Sequence, residues 1–228
     1  MGNKKHTITL KVRIRDKHCK VLNKWAFSVN QVWNYCNELN YRSIRERQQW
    51  LSGYDLQDYT KGAKELGLNS ATLQMIGHEY VTRRKQFNKA KLNWRKSIGV
   101  KRSLSWIPVR KDCISFKNGQ VYHNKQHFKI WDSYGLSQYT FKSGTFSEDS
   151  RGRWYFNVVV EVLGKKGEGA KSVGLDLGCK KAATDSNGEG IKGREYRALE
   201  TKLGLAQRAR NKHRVKAIHA KIKNRRQD

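Results

Sequence analysis

One carboxylate stands out by its surroundings. Asp176 lies in Gly174-Leu-Asp-Leu-Gly178, an otherwise apolar run with a glycine on each side. A carboxylate on an apolar strand is costly to bury without a partner or a metal ion. The glycines let other groups approach closely. Two readings follow: a metal-binding catalytic acid, or a strand-end aspartate that accepts backbone hydrogen bonds in a turn. Asp185, Glu189, Glu195 and Glu200 follow in the chain. Asp185 can approach a metal or cap a turn, the cap being the better fit, and the glutamates fall in a hairpin and an early helix. His123 and His127 have a spacing that some zinc sites use, but no cysteines accompany them. Cys19, Cys36, Cys113 and Cys179 contain no CxxC pair, so the sequence holds no zinc ribbon. Scattered cysteines of this kind are small core residues.

Basic residues offer a different chemistry. Lys and Arg number 48 against 19 Asp and Glu, for a formal net charge of +29. A folded chain this basic repels itself unless a polyanion neutralises it, and nucleic acid is the usual one. At 37% hydrophobic and 11% aromatic the chain is too apolar for a disordered basic tail. Basic and aromatic residues are interleaved, as phosphate grooves and base-stacking platforms require. The candidate phosphate contacts are Arg83, Arg84, Lys85, Lys89, Lys91, Arg95 and Lys96, where acids are nearly absent. A second set is Arg208, Arg210, Arg214, Lys216, Arg225 and Arg226, in a basic helix that also carries His213 and His219. There is no signal peptide and no apolar run long enough for a bilayer. A reducing, prokaryotic cytoplasm fits this composition, with no membrane partner.

The elements that position these residues follow from periodicity. Ile8, Leu10, Val12 and Ile14 share one face of a strand over 7–14, with Lys11 and Arg13 on the other. Val21, Leu22, Trp25, Val29, Val32, Trp33, Cys36 and Leu39 recur at threes and fours, which is an amphipathic helix. Gly53 and Gly62 lie in a looser linker. A second helix begins near Asn69 or Ser70, either of which can cap it. It carries Leu73, Ile76, Tyr80 and Phe87, and its other faces turn basic as far as Lys96. From Trp106 the period returns to two. Asn118-Gly119 reads as a tight hairpin turn, because both residues tolerate positive φ. Phe128 and Ile130 suggest a further strand. Phe141–Phe146 and Trp154–Leu163 form another hairpin across Ser150-Arg151-Gly152. Several short strands so spaced predict a small barrel. After Gly164–Gly169 a new unit begins, with strands at 172–178, 182–185 and near Ile191. One long basic helix then runs from about Arg194 to the end.

The run Gly174-Leu-Asp-Leu-Gly-Cys-Lys-Lys-Ala-Ala-Thr-Asp-Ser-Asn-Gly188, followed by Leu203 to Asp228, resembles the TnpB/OrfB family of transposon-encoded, RNA-guided DNA nucleases. These are relatives of type V CRISPR effectors. Trp154-Tyr-Phe-Asn-Val-Val-Val resembles the family's last barrel strand, and Glu79-Tyr-Val-Thr-Arg-Arg-Lys-Gln-Phe87 its basic recognition helix. Actin- and chaperone-type ATPases open with words like Gly174–Gly178. Their phosphate loop is not matched by Cys179-Lys180-Lys181, and the motif lies late in this chain.

The resemblance implies an α+β protein. A wedge-like β-barrel is expected over 1–16 and 103–164, with a helical recognition insertion at 17–102. A linker at 165–171 and an incomplete ribonuclease-H-like (RuvC) unit at 172–228 follow. It implies a transposon-derived guide RNA and target DNA as partners, with specificity delegated to base pairing. Asp176 becomes the first acid of a cluster holding Mg2+ or Mn2+, ions that need several carboxylates about 4 Å apart. The family's second and third acids and its zinc ribbon come later than any residue here. The expectation is therefore a chain that stops within its nuclease domain, binds RNA and DNA, and does not cleave alone. A non-catalytic guide-dependent regulator and a decayed transposon remnant are the alternatives. Residues 170–228 are expected to be poorly ordered or held by another chain, because their apolar strand lacks its usual neighbours.

Overall fold

A computed structural model describes residues 5–164, 172–178, 181–191, 193 and 195–225. The expected linker at 165–171 lies outside these residues, as do Cys179, Lys180 and Arg226. The chain divides into two compact units, Met1–Lys165 and Lys166–Asp228.

In the first unit, β1 (Lys5–Ile14) leads into α1 (Cys19–Arg47), α2 (Gly53–Thr60) and α3 (Ser70–Gln86). Six strands follow: β2 (Trp106–Val109), β3 (Ile114–Lys117), β4 (Gln120–His123), β5 (Gln126–Trp131), β6 (Phe141–Glu148) and β7 (Trp154–Leu163). The seven strands form a nearly closed antiparallel barrel in the order β2-β6-β7-β1-β5-β4-β3. The fold is thus mixed α and β, with the helices inserted between β1 and β2. β1 is the keystone. It pairs with β7 from Lys5 to Arg13, then with β5 at Arg13 and Ile14. Strict alternation puts Leu10, Val12 and Ile14 inside, where they meet Trp154, Phe156, Val158 and Val160 of β7. Phe128, Phe146 and Phe156 continue this core as tilted rings 5.2 Å apart. Gly144 opposes this stack, and a Cβ there would lie 2.6 Å from the Phe156 ring. α1 joins the same core through Leu22 and Trp25, the latter edge-on to Phe128 and His123.

Local chemistry closes the ends. Asn118 and Gly119 turn β3 into β4 with φ of 51° and 69°. Where β1 leaves the sheet, Arg15 N–H donates to Lys129 O at 3.0 Å, and Lys129 N–H donates to His18 Nε2 at 3.0 Å. The imidazole stands in for a missing strand carbonyl. Asn69 caps α3 by accepting from Thr72 N–H at 2.7 Å. Arg102 grips the buried Glu148 with both nitrogens, at 2.7 and 2.6 Å.

Three expectations change. The looser linker around Gly53 contains α2, started by a reciprocal Ser52–Asp55 capping box. The basic helix does not reach Lys96: α3 stops at Gln86, and Asn88 adopts φ of 49°. The last helix is two helices.

The second unit holds β8 (Leu175–Asp176), β9 (Ala183–Asp185) and β10 (Gly190–Ile191), in the order β10-β9-β8. Helices α4 (Glu200–Arg208) and α5 (Lys212–Arg225) follow. Arg210 takes φ of 49°, and Asn211 Oδ1 accepts from Arg214 N–H at 3.0 Å. Together they end one helix and cap the next. Leu199, Ala206, Ile218 and Ile222 form a small core between the two helices. Val173, Leu175, Leu177 and Ile191 are exposed. No helix among the described residues is long and apolar enough to cross a membrane.

Candidate nucleic-acid interface

The segment after α3 is built in an unusual way. From Ala90 to Ser97 the chain lies along α1 with no strand beside it, yet backbone groups of Ala90, Leu92, Arg95 and Lys96 are paired. α1 supplies Asn30, Asn34, Asn37 and Asn40, spaced by four, three and three, which puts them on one helical face. A carboxamide carries the same donor and acceptor as a peptide group. Asn37 donates to Leu92 O at 2.8 Å and accepts from Leu92 N–H at 2.9 Å. Asn34 does the same to Arg95, at 2.9 and 2.8 Å. Asn30 donates to Ser97 Oγ at 3.0 Å, and Asn40 to Ala90 O at 3.4 Å. The helix thereby acts as a neighbouring strand would.

This column fixes which basic residues turn inward. Arg84 is only 3% exposed, hydrogen-bonded to Asn40 Oδ1 and placed 4.9 Å over the Trp50 ring. Arg95 donates to Asn30 Oδ1 at 2.7 Å and to Leu104 O at 2.5 Å. Its guanidinium lies 5.7 Å from both the Trp33 and Trp106 rings. Burial pushes its pKa down to about 10, so it keeps its charge at neutral pH. Neither guanidinium has a carboxylate partner among the described residues. Arg84 places positive charge beneath the surface and Arg95 holds its charge half-buried, each with only neutral groups to offset it.

Arg95 borders an open groove of about 910 Å³. Phe87, Trp94 and Trp106 line it together with Arg83, Lys89 and Arg95. Phe87 is 58% exposed and Trp94 53%. Rings held open to solvent beside cations are the mixture that stacks bases and neutralises phosphates. The carboxylate at the groove, Glu79, is taken up by Arg83 at 2.7 Å. Of the other expected contacts, Lys85 and Lys96 are exposed, and Lys91 is held by Glu38 at 2.9 Å and by the Tyr41 ring. Phe87, Trp94 and the asparagine column were not among the expected contacts. The helical spacing of the asparagines is visible in the sequence, but it gives no hint of what they grip.

In the second unit, Arg214 and Lys216 are exposed on α5, while Arg208 and Arg210 flank the break between α4 and α5. Arg225 ends α5. Asp176 is exposed at the end of β8, opposite Thr184. Asp185 opposes Leu175, so it points to the other face of the sheet. Its oxygens accept from Asn187 N–H at 3.0 Å and Glu189 N–H at 2.7 Å. Among the described residues, no group of three His, Cys, Asp or Glu is placed to hold a metal ion. The described residues therefore bring no cluster of further donors to Asp176. His123 is buried with Nδ1 at 2.8 Å from Cys113 O, and His127 lies against Tyr122 on the opposite face.

No family profile and no curated protein matches the chain. Among solved structures it is similar to a Cas12f1–sgRNA–target DNA complex, at 13% identity and a TM-score of 0.40, over 96% of this chain and 65% of that one. It is also similar to a CRISPR-Cas12f ternary complex, at 12% identity and a TM-score of 0.43, over 87% of this chain and 53% of that one. The chain spans less than two thirds of the length of either.

Proposed function

We propose that this chain is a nucleic-acid-binding protein whose first unit holds unpaired bases in the groove beside α3. The observation that carries this is the meeting of Phe87, Trp94 and Trp106 with Arg83, Lys89 and Arg95, in a chain of net charge +29. The motifs that resemble the transposon-encoded, RNA-guided nucleases support guide RNA and target DNA as the partners. In the same frame the second unit is the opening part of a RuvC-like fold, with Asp176 as its first acid. Mg2+ or Mn2+ would need further carboxylates that the described residues do not bring to Asp176, so no cleavage step is assigned to them.

Fluorescence anisotropy with a short oligouridine tests the groove. Stacking contributes about 1–3 kcal/mol per base, so Trp94→Ala and Phe87→Ala should each weaken binding by roughly 5- to 150-fold. Lys89→Ala should lower the slope of log affinity against log salt by about 0.7. Unchanged affinity in both aromatic variants would sink the groove as the binding site. Magnesium-dependent cleavage that vanishes in Asp176→Ala would overturn the view that these residues carry no cleavage site.

A further inference from the structure

The outer face of the barrel carries a second concentration of rings and cations, separate from the groove lining. Trp131 ends β5 and is 46% exposed. The guanidiniums of Arg13 and Arg15 lie 5.3 and 5.4 Å from its ring. Next to it, Lys11 Nζ lies 4.3 Å from the Tyr155 ring. Acids on this side are already engaged. Asp16 pairs with Arg13 at 2.7 Å. Asp132 accepts from Tyr134 N–H at 3.2 Å and Leu136 N–H at 2.8 Å. Asp149 accepts from the backbone of Arg151 and Arg153, and from the Tyr155 hydroxyl at 3.3 Å. Arg15 has no carboxylate partner among the described residues.

Strand register connects this face to the groove. Trp131 opposes Arg13, Arg13 opposes Tyr155, Tyr155 opposes Ser147, and Ser147 opposes Trp106. Directly opposed residues share a face, so these five side chains form one row across the sheet. The row covers four strand spacings of about 4.8 Å, roughly 19 Å in all. It ends at Trp106, which lines the groove.

We propose that the row from Trp106 to Trp131 is a track for an unpaired strand of nucleic acid that leaves the groove, with Trp131, beside Arg13 and Arg15, as its far stacking platform. This rests on the groove reading and extends it. A cation–π contact at an exposed site is weak, so a base can take the place of a guanidinium on the ring while the guanidinium moves to a phosphate. An unpaired strand is required because a stacking platform needs a free base face. The exposure of Trp131 is what such a platform needs.

The test compares oligouridines of about 6 and about 20 nucleotides, the short one matched to a single site. Trp131→Ala and Arg15→Ala should bind the short oligomer as the wild type does. They should lose about ten-fold on the long one, with Trp131→Phe restoring most of that loss because it keeps a ring. Trp94→Ala should lose affinity for both lengths. If Trp131→Ala and Arg15→Ala match the wild type on both lengths while Trp94→Ala is weak, the track is wrong and the groove stands. If Trp94→Ala also matches the wild type, both fail. A duplex of the longer length that binds equally well, with the same loss in Trp131→Ala, would overturn the assignment to an unpaired strand.

Discussion

Asn37 shows no exposed surface, and its carboxamide replaces a whole strand's worth of pairing for Leu92. Removing it leaves a buried N–H and a buried C=O without partners, each costly in a site closed to water. Asn37→Ala should therefore destabilise the first unit by about 1–3 kcal/mol in chemical denaturation. Asn37→Asp should do no better, because a carboxylate still accepts from Leu92 N–H but opposes Leu92 O. Loss below about 0.5 kcal/mol in both variants would mean the segment is held by other contacts. His18 and His123 act on stability through pH. Burial lowers both pKa values below the ordinary 6.5, and Lys17 and Lys129 add to the effect at His18. His18 Nε2 must be unprotonated to accept from Lys129 N–H. The unfolded chain then binds more protons than the folded one once pH falls to about 6.5, so stability drops with acidification below that point. Above it, these two groups contribute no slope. His18→Gln, which keeps an acceptor that does not titrate, should flatten the dependence measured by urea unfolding between pH 7.5 and pH 5 (roughly the range where histidine titrates). An unchanged dependence in that variant and in His123→Gln would assign the acid sensitivity to other groups.

The helix–segment pair formed by α1 and residues 90–97 explains why part of the fold was legible and part was not. The strands β1, β5 and β7 were readable because they show period-two alternation against a single core. Val12, Phe156 and Val158 have to face inward whatever their partners are. The Asn118-Gly119 turn and the Asn69 cap are local chemistry and could be read in place. Asn69→Ala should cost about 1 kcal/mol of stability, as loss of a helix cap does. The same change at the neighbouring Ser70, which is exposed, should cost little. Equal losses at the two positions would show that Asn69 matters for something other than its cap. The segment after α3 was not readable. Its charge suggested a continued basic helix, whereas four asparagines 50 to 67 residues earlier hold it against α1. Pairing at that sequence separation leaves no local signature. For the same reason, Arg84 and Arg95 looked like surface cations in the sequence. Burial against Trp50, Trp33 and Trp106 depends on contacts between distant elements. In the second unit, the aspartate at the strand end could be read. Its surroundings could not, because the register that turns Asp185 to the other face is set only when β8 and β9 pair. Arg210, with positive φ, breaks a basic run that shows no glycine or proline at that point.

At the scale of the whole molecule, charge should make folding and binding respond to salt in opposite directions. With a net charge of +29, the folded chain holds its cations closer together than the unfolded one does. Screening relieves that repulsion, since the Debye length falls from about 30 Å at 0.01 M to about 8 Å at 0.15 M. Tm should therefore rise as sodium chloride increases across that range. Binding should weaken over the same range, because phosphate contacts release counterions that added salt makes costlier to release. An oligouridine should substitute for salt: at low ionic strength and about 100 times its Kd, it should stabilise the chain by about 2.7 kcal/mol. At high salt that stabilisation should vanish while Tm stays high. The two effects separate the roles of the basic residues. If the cations served folding through ion pairs, added salt would lower Tm, since screening weakens such pairs as well. A Tm that falls with salt while binding also weakens would place most of the charge in structural pairs such as Arg102–Glu148. A Tm that rises while binding weakens would place it on a surface shaped for a polyanion, where the exposed Lys89, Lys96 and Arg15 lie.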